Sequence, residues 1–143
     1  MIAFLIMLVV IGIVDFRTKE IPNKFIMIIG IIGVMAMVFQ DHLTLANRLL
    51  GFICISLPLL IIALIKPGAI GGGDIKLMAV SGLYLGVELT TISFFIGATL
   101  GAAYGIWLLA RGRGKKEEFP LGPFLCVGMF IAIITNLTLC TMK

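Results

Sequence analysis

Apolar residues run through this chain in six long stretches that do not alternate with polar ones, and that pattern leaves few folds open. The stretches are 1–16, 24–39, 49–66, 74–87, 89–110 and 121–141, each long enough to form most or all of a membrane helix. A transmembrane barrel needs apolar and polar residues in alternation, and that is missing. A soluble globule is excluded on other grounds. Residues of the set AVILMFWYC make up 61% of the 143 positions and charged residues only 13%, about half of the ~25% that a water-facing surface carries. The expectation is an all-α, polytopic membrane protein with about six transmembrane helices in a single domain over residues 1–143, its surroundings the lipid bilayer.

The charges between the stretches predict how the chain lies. Arg17, Lys19 and Lys24 separate the first two stretches, Lys66 and Lys76 the third and fourth, and Arg111, Arg113, Lys115 and Lys116 the last two. Only Arg48 and Lys143 fall on the alternate side. The rule that basic loops stay in the cytoplasm therefore puts both termini on the outer face. The net charge of +4 follows from these flanks and implies no nucleic-acid partner. Met1 to Val14 has the hydrophobicity of an export signal, but it lacks a basic start and an A-x-A cleavage site, so it reads as a retained span. Cys54, Cys126 and Cys140 show no CxxC or metal-ligand spacing and read as small buried apolar residues.

Gly82 and Gly86 in the fourth stretch, and Gly97, Gly101 and Gly105 in the fifth, form small-residue faces that let neighbouring backbones approach closely. Pro58 predicts a kink within the third. No internal repeat is present, whereas many transporters show two similar halves.

Of seven acidic residues, Asp15, Glu20, Asp41, Asp74, Glu88, Glu117 and Glu118, five are expected in loops. Asp15 and Asp74 instead continue directly from apolar helices. At about 1.5 Å per residue, Met1 to Val14 and Asp74 to Val87 each rise roughly 20 Å, so helices starting at the outer surface bring both carboxyls to a similar depth, just below the cytoplasmic boundary. One reading is a pair of helix-end residues at the interface, partnered by Arg17 or Lys76. The other is a functional pair. Gly71, Gly72 and Gly73 directly precede Asp74, and irregular backbone at membrane depth is tolerated only where it lines protein or a wet cavity.

The run Gly71-Gly72-Gly73-Asp74-Ile75-Lys76 resembles the GxGD-x-K signature of the type IV prepilin peptidases, a family of intramembrane aspartic proteases. Asp15 followed by Ile21-Pro22-Asn23 is similar to that family's first aspartate and the IPN opening its next helix. Phe119-Pro120-Leu121-Gly122-Pro123 resembles its P-F-G-P segment, with Leu121 in place of the usual Phe. Presenilin-type proteases share GxGD but carry a PAL motif, which is absent here. Many bacterial members of the family also have an N-terminal segment with paired CxxC motifs associated with methylation. Nothing corresponds to it in this sequence, so the expectation is a short, peptidase-only form with no methyl transfer.

The resemblance implies an aspartic endopeptidase of the prokaryotic cytoplasmic (inner) membrane that cuts a short basic leader from prepilin or pseudopilin precursors at the cytoplasmic face. Asp15 and Asp74 are its expected catalytic residues. Two carboxyls sharing a site hold one proton between them, one serving as base toward water and the other as acid toward the scissile carbonyl. No cofactor and no metal is needed, and a lone His42 gives no support to serine or zinc chemistry. Gly71, Gly72 and Gly73 are expected to let an unwound substrate lie beside Asp74, and Pro22, Asn23, Pro120, Gly122 and Pro123 to shape the cavity. Lys76 has two readings, a partner of Asp74 or a topology lysine. Glu117 and Glu118 are either a lure for a basic leader or solvated partners of Lys115 and Lys116. The rival functions are a small proton-coupled transporter or channel using the same two carboxyls as a relay, and a non-catalytic assembly subunit.

Overall fold

The computed structural model describes residues 1–18, 21–39, 43–68, 70–111 and 121–141. Among these there is no strand, and six helical elements follow in order: α1 (Ile2–Thr18), α2 (Asn23–Phe39), α3 (Leu45–Cys54), α4 (Ser56–Ile65), α5 (Gly72–Ala110) and α6 (Gly122–Thr141). His42, Glu117, Glu118 and Pro120 lie outside the described residues.

The third apolar stretch is α3 and α4, broken at Ile55. Pro58 has no N–H to give to the carbonyl four residues earlier, so the ladder fails one turn before the proline. Phe52 O, in the same turn, accepts the Ser56 hydroxyl. Joined across this break, Leu45–Ile65 is long and apolar enough to cross a membrane, as is Gly72–Ala110, while Asn23–Val38 and Gly122–Thr138 are shorter apolar helices.

The fourth and fifth stretches form the continuous element α5, without the loop expected around Glu88, and its one non-helical residue is Gly86 at φ 74°, ψ −179°. That backbone conformation belongs to glycine. A straight helix would set Asp74 and Gly97 about 35 Å apart. Both nevertheless touch the first turn of α6. Asp74 Oδ1 lies 2.9 Å from where a Cβ on Gly122 would sit, and a Cβ on Gly97 would lie 2.8 Å from Leu125 Cα. The element therefore doubles back at Gly86 into two arms, 72–85 and 87–110. Glu88 stands in the first turn of the second arm, where a negative charge suits the helix dipole.

The start of α3 fastens this turn. Thr44 caps α3 by accepting the Asn47 N–H at 3.3 Å, and Asn47 Oδ1 accepts the Val87 N–H, the first amide of the second arm, at 2.8 Å. Arg48, 1% exposed, donates to Leu83 O at the end of the first arm (2.9 Å) and to Ala36 O of α2 (3.2 Å). Charge counting placed Arg48 in an outer loop; it is a buried clamp on backbone carbonyls that helix ends leave unpaired. Gly51 and Gly82 make the α3–α5 contact backbone to backbone, a Cβ on Gly51 falling 2.6 Å from Gly82 O.

Phe4, Leu8 and Ile11 of α1, Ile29 of α2, Leu77 and Met78 of α5, and Leu125 and Met129 of α6 form the core, with Phe4 stacked on Tyr84 at 4.2 Å between ring centroids. The exterior is as apolar as the interior: Ile2, Val38, Leu64, Ile65 and Ile106 are largely exposed, while Asp15, Asp74, Ser81, Thr90 and Ser93 are buried. Exposed hydroxyls bond within their own helices, Thr99 to Phe95 O and Thr135 to Ile131 O. Apolar outside and polar inside, with side chains satisfied locally, suits lipid as the solvent.

Candidate active site

Asp15 sits one turn from the end of α1, on the helix face that carries Phe4, Leu8 and Ile11 into the core. Asp74 sits in the first turn of α5 with its N–H bonded to Gly71 O at 3.1 Å. They are 4% and 8% exposed. What brings them together is the first residue of α6. A Cβ on Gly122 would lie 2.9 Å from both Asp15 Cγ and Asp74 Oδ1 and closer still to Asp15 Oδ2, so these two carboxyl atoms are within about 6 Å of each other, the range of strong coupling between charges. Asp15 Oδ2 is buried and has no hydrogen-bond partner among the described residues. A buried carboxyl oxygen left open is costly to stability and is a feature of sites that act on something else.

The supporting residues fall into two groups. Ile21 packs on the first turn of α5, where a Cβ on Gly73 would meet Ile21 Cβ at 3.0 Å. Pro22 O accepts the Phe25 N–H at 3.0 Å and starts α2. Asn23 Oδ1 accepts from Lys76 Nζ at 3.2 Å on the exposed side. The segment Ile21-Pro22-Asn23 therefore docks α2 onto the helix that carries Asp74, with Lys76 bonded to Asn23 across the contact. Gly71, Gly72 and Gly73 do not form the irregular stretch expected from their composition. Gly71 is an extended N-cap (φ −66°, ψ 132°) and the helix begins at Gly72. Gly73 matters as the contact for Ile21, Gly72 faces open space, and a Cβ on Gly71 would press on Asp74 Oδ2 at 3.1 Å.

On the third side, Leu121 O accepts the Phe124 and Leu125 N–H groups, each at 3.1 Å, and so opens α6 at Gly122. Pro123 needs no N–H partner in this first turn. The helix N-terminus then faces the two carboxyls, a favourable dipole arrangement. Gly122 was expected only to shape a cavity; it is the point at which the carboxyls converge. The resemblance to the P-F-G-P segment marked Gly122 in the sequence, but not the meeting of two carboxyls there. Cys126, one turn further on, has its Cβ 3.5 Å from where a Cβ on Gly12 would lie.

The chain matches the sequence model of the type IV leader peptidase family over residues 2–106, which include both aspartates. It belongs to that family. Members of the type IV leader peptidase family similar to it include the prepilin leader peptidase/N-methyltransferase of Bacillus subtilis (strain 168), 31% identical over 134 residues, which are 93% of this chain and 54% of the relative. The protein of the same name from Xanthomonas campestris pv. campestris is 28% identical over 82% of this chain and 43% of its own length. That of Burkholderia pseudomallei (strain 1026b) is 47% identical over 60 residues, 41% of this chain. The chain thus spans about half the length of these two curated relatives from Bacillus subtilis and Xanthomonas campestris. No solved structure matches it.

Proposed function

We propose that this protein is an intramembrane aspartic endopeptidase that removes a short basic leader from prepilin-like precursors at the cytoplasmic face of the membrane. The observation that carries the reading is the convergence of Asp15 and Asp74 on Gly122, two buried carboxyls in a member of the type IV leader peptidase family. Two carboxyls at this separation in an apolar site share one proton. The ionised one takes a proton from a water held between them, and the protonated one donates to the scissile carbonyl as the tetrahedral centre forms. Because the pair titrates as a unit, the roles of base and acid belong to the dyad as a whole.

Six crossings accommodate the described helices: α1, α2, α3 with α4, the two arms of α5, and α6. Arg17, Lys24, Lys66, Lys76 and Arg111 stand at the helix ends nearest the dyad, which supports a cytoplasmic active site and outer termini. Trp107, with Arg111 over its ring at 4.1 Å and Tyr104 beside it, is the kind of aromatic and basic cluster that marks a membrane boundary. The transporter reading draws no support from the family match.

The test is processing of a co-expressed precursor, read by gel shift and mass spectrometry at matched membrane levels. Asp15→Asn and Asp74→Asn each keep the side-chain volume and remove the titratable group, so each is expected to slow cutting at least about 100-fold. Cutting at the unsubstituted rate by either variant would sink the dyad.

A further inference from the structure

A groove of about 490 Å³ runs along the outside of the bundle between α1 and α6. Its α1 wall reaches from Leu8 past Gly12 to Phe16 and Arg17, and its α6 wall from Pro123 past Val127 to Phe130. The α1 wall is about 14 Å long, some two and a half helical turns. One end adjoins the dyad, since Phe16 follows Asp15 in the chain and Pro123 follows Gly122. At that end lies Arg17, the one charged residue among those lining it. A second apolar groove, between α2 and the first arm of α5, is lined by Ile31, Val34 and Leu83. The residues lining it include no cation, and none of them neighbours Asp15, Asp74 or Gly122 in the chain.

We propose that the α1–α6 groove receives the apolar helical segment of the polypeptide being cut, on the side of the scissile bond that remains in the membrane, and so delivers that bond to the dyad. This deepens the protease reading and rests on it. A peptide bond held at Gly122 has chain on both sides, and the groove that begins beside Phe16 and Pro123 offers the membrane side of that chain an apolar bed. Side chains of a membrane helix lose nothing by exchanging lipid for the walls at Val127 and Phe130, and they gain close packing. Arg17 sets the direction. A guanidinium at the mouth repels a basic segment, so the basic flank stays on the water side. Gly12 keeps the floor of the groove open.

The experiment places a photo-crosslinking benzoylphenylalanine at Val127, or at Ile31 as the control, in the full chain carrying Asp74→Asn, together with a precursor that the unsubstituted chain cuts. The expected result is an adduct from position 127 that maps to the precursor's apolar segment, and none from position 31. An adduct from neither position, from both equally, or from position 127 to the leader side overturns the proposal. In the cutting assay, Val127→Trp fills the groove and is expected to lower the cutting rate about tenfold, while Ile31→Trp stays within about twofold. Equal rates for the two tryptophan variants count against the groove. Failure of the protease reading has a different signature, continued cutting by Asp74→Asn.

Discussion

Gly122 shows how much a missing methyl group can decide. Both carboxyls occupy the space that a Cβ at this position would need, with Asp15 Cγ and Asp74 Oδ1 2.9 Å from it. Gly122→Ala is therefore expected to push the carboxyls apart and lower cutting by at least about tenfold. Helical content by circular dichroism should stay unchanged, because alanine is a better helix former than glycine. Unimpaired cutting by this variant would mean that the dyad does not need the observed spacing. That Asp15 and Asp74 stand apart from the other acids was legible in the sequence, since an acid continuous with an apolar run is rare, and the structure brings the two together. The role of Gly122 was not, because steric exclusion depends on which helix crosses which. Lys76 illustrates the same limit: the sequence left it as either a partner of Asp74 or a topology lysine, and a helix turns about 200° between residues two apart, which suits its bond to Asn23 on the exposed side.

Helices were more legible than their ends. Apolar runs located α1, α2 and α6 within a few residues, and Pro58 foretold the break between α3 and α4. The charge at Glu88 suggested a loop, whereas the chain reverses through Gly86 alone, and Glu88 belongs to a helical first turn. That turn rests on a conformation which a side chain resists. Gly86→Ala introduces strain of about 1–3 kcal/mol and directs a Cβ to within 2.8 Å of Asn47 Oδ1. Asn47→Ala strands the Val87 N–H at a cost of about 1 kcal/mol. Both should appear as earlier unfolding in a titration of detergent-solubilised protein with a denaturing detergent, Gly86→Ala the more strongly. A Gly86→Ala protein as resistant as the parent would show that the turn is not under that constraint. Arg48 misled the reading for a related reason. Its sequence neighbours suggested a water-facing flank, but the carbonyls it serves come from residues 12 and 35 positions away.

For the whole molecule, composition alone was decisive about the solvent, since 13% charged residues cannot clothe a globule in water. The inverted arrangement of an apolar exterior around buried Asp15, Asp74, Arg48, Ser81 and Thr90 agrees with it. Which ends face which compartment is a separate matter. A phosphatase reporter fused after Lys143 is expected to be active, and one inserted between Arg111 and Leu121 inactive, given a cytoplasmic dyad. The opposite pattern would move the proposed cut to the outer face.

The convergence on Gly122 also bears on how the protein is born. A ribosome that has made the first 110 residues has already produced both aspartates and every residue matched by the family, but not the helix against which the carboxyls meet. The two carboxyls therefore acquire their meeting point only when α6 joins the helices made before it.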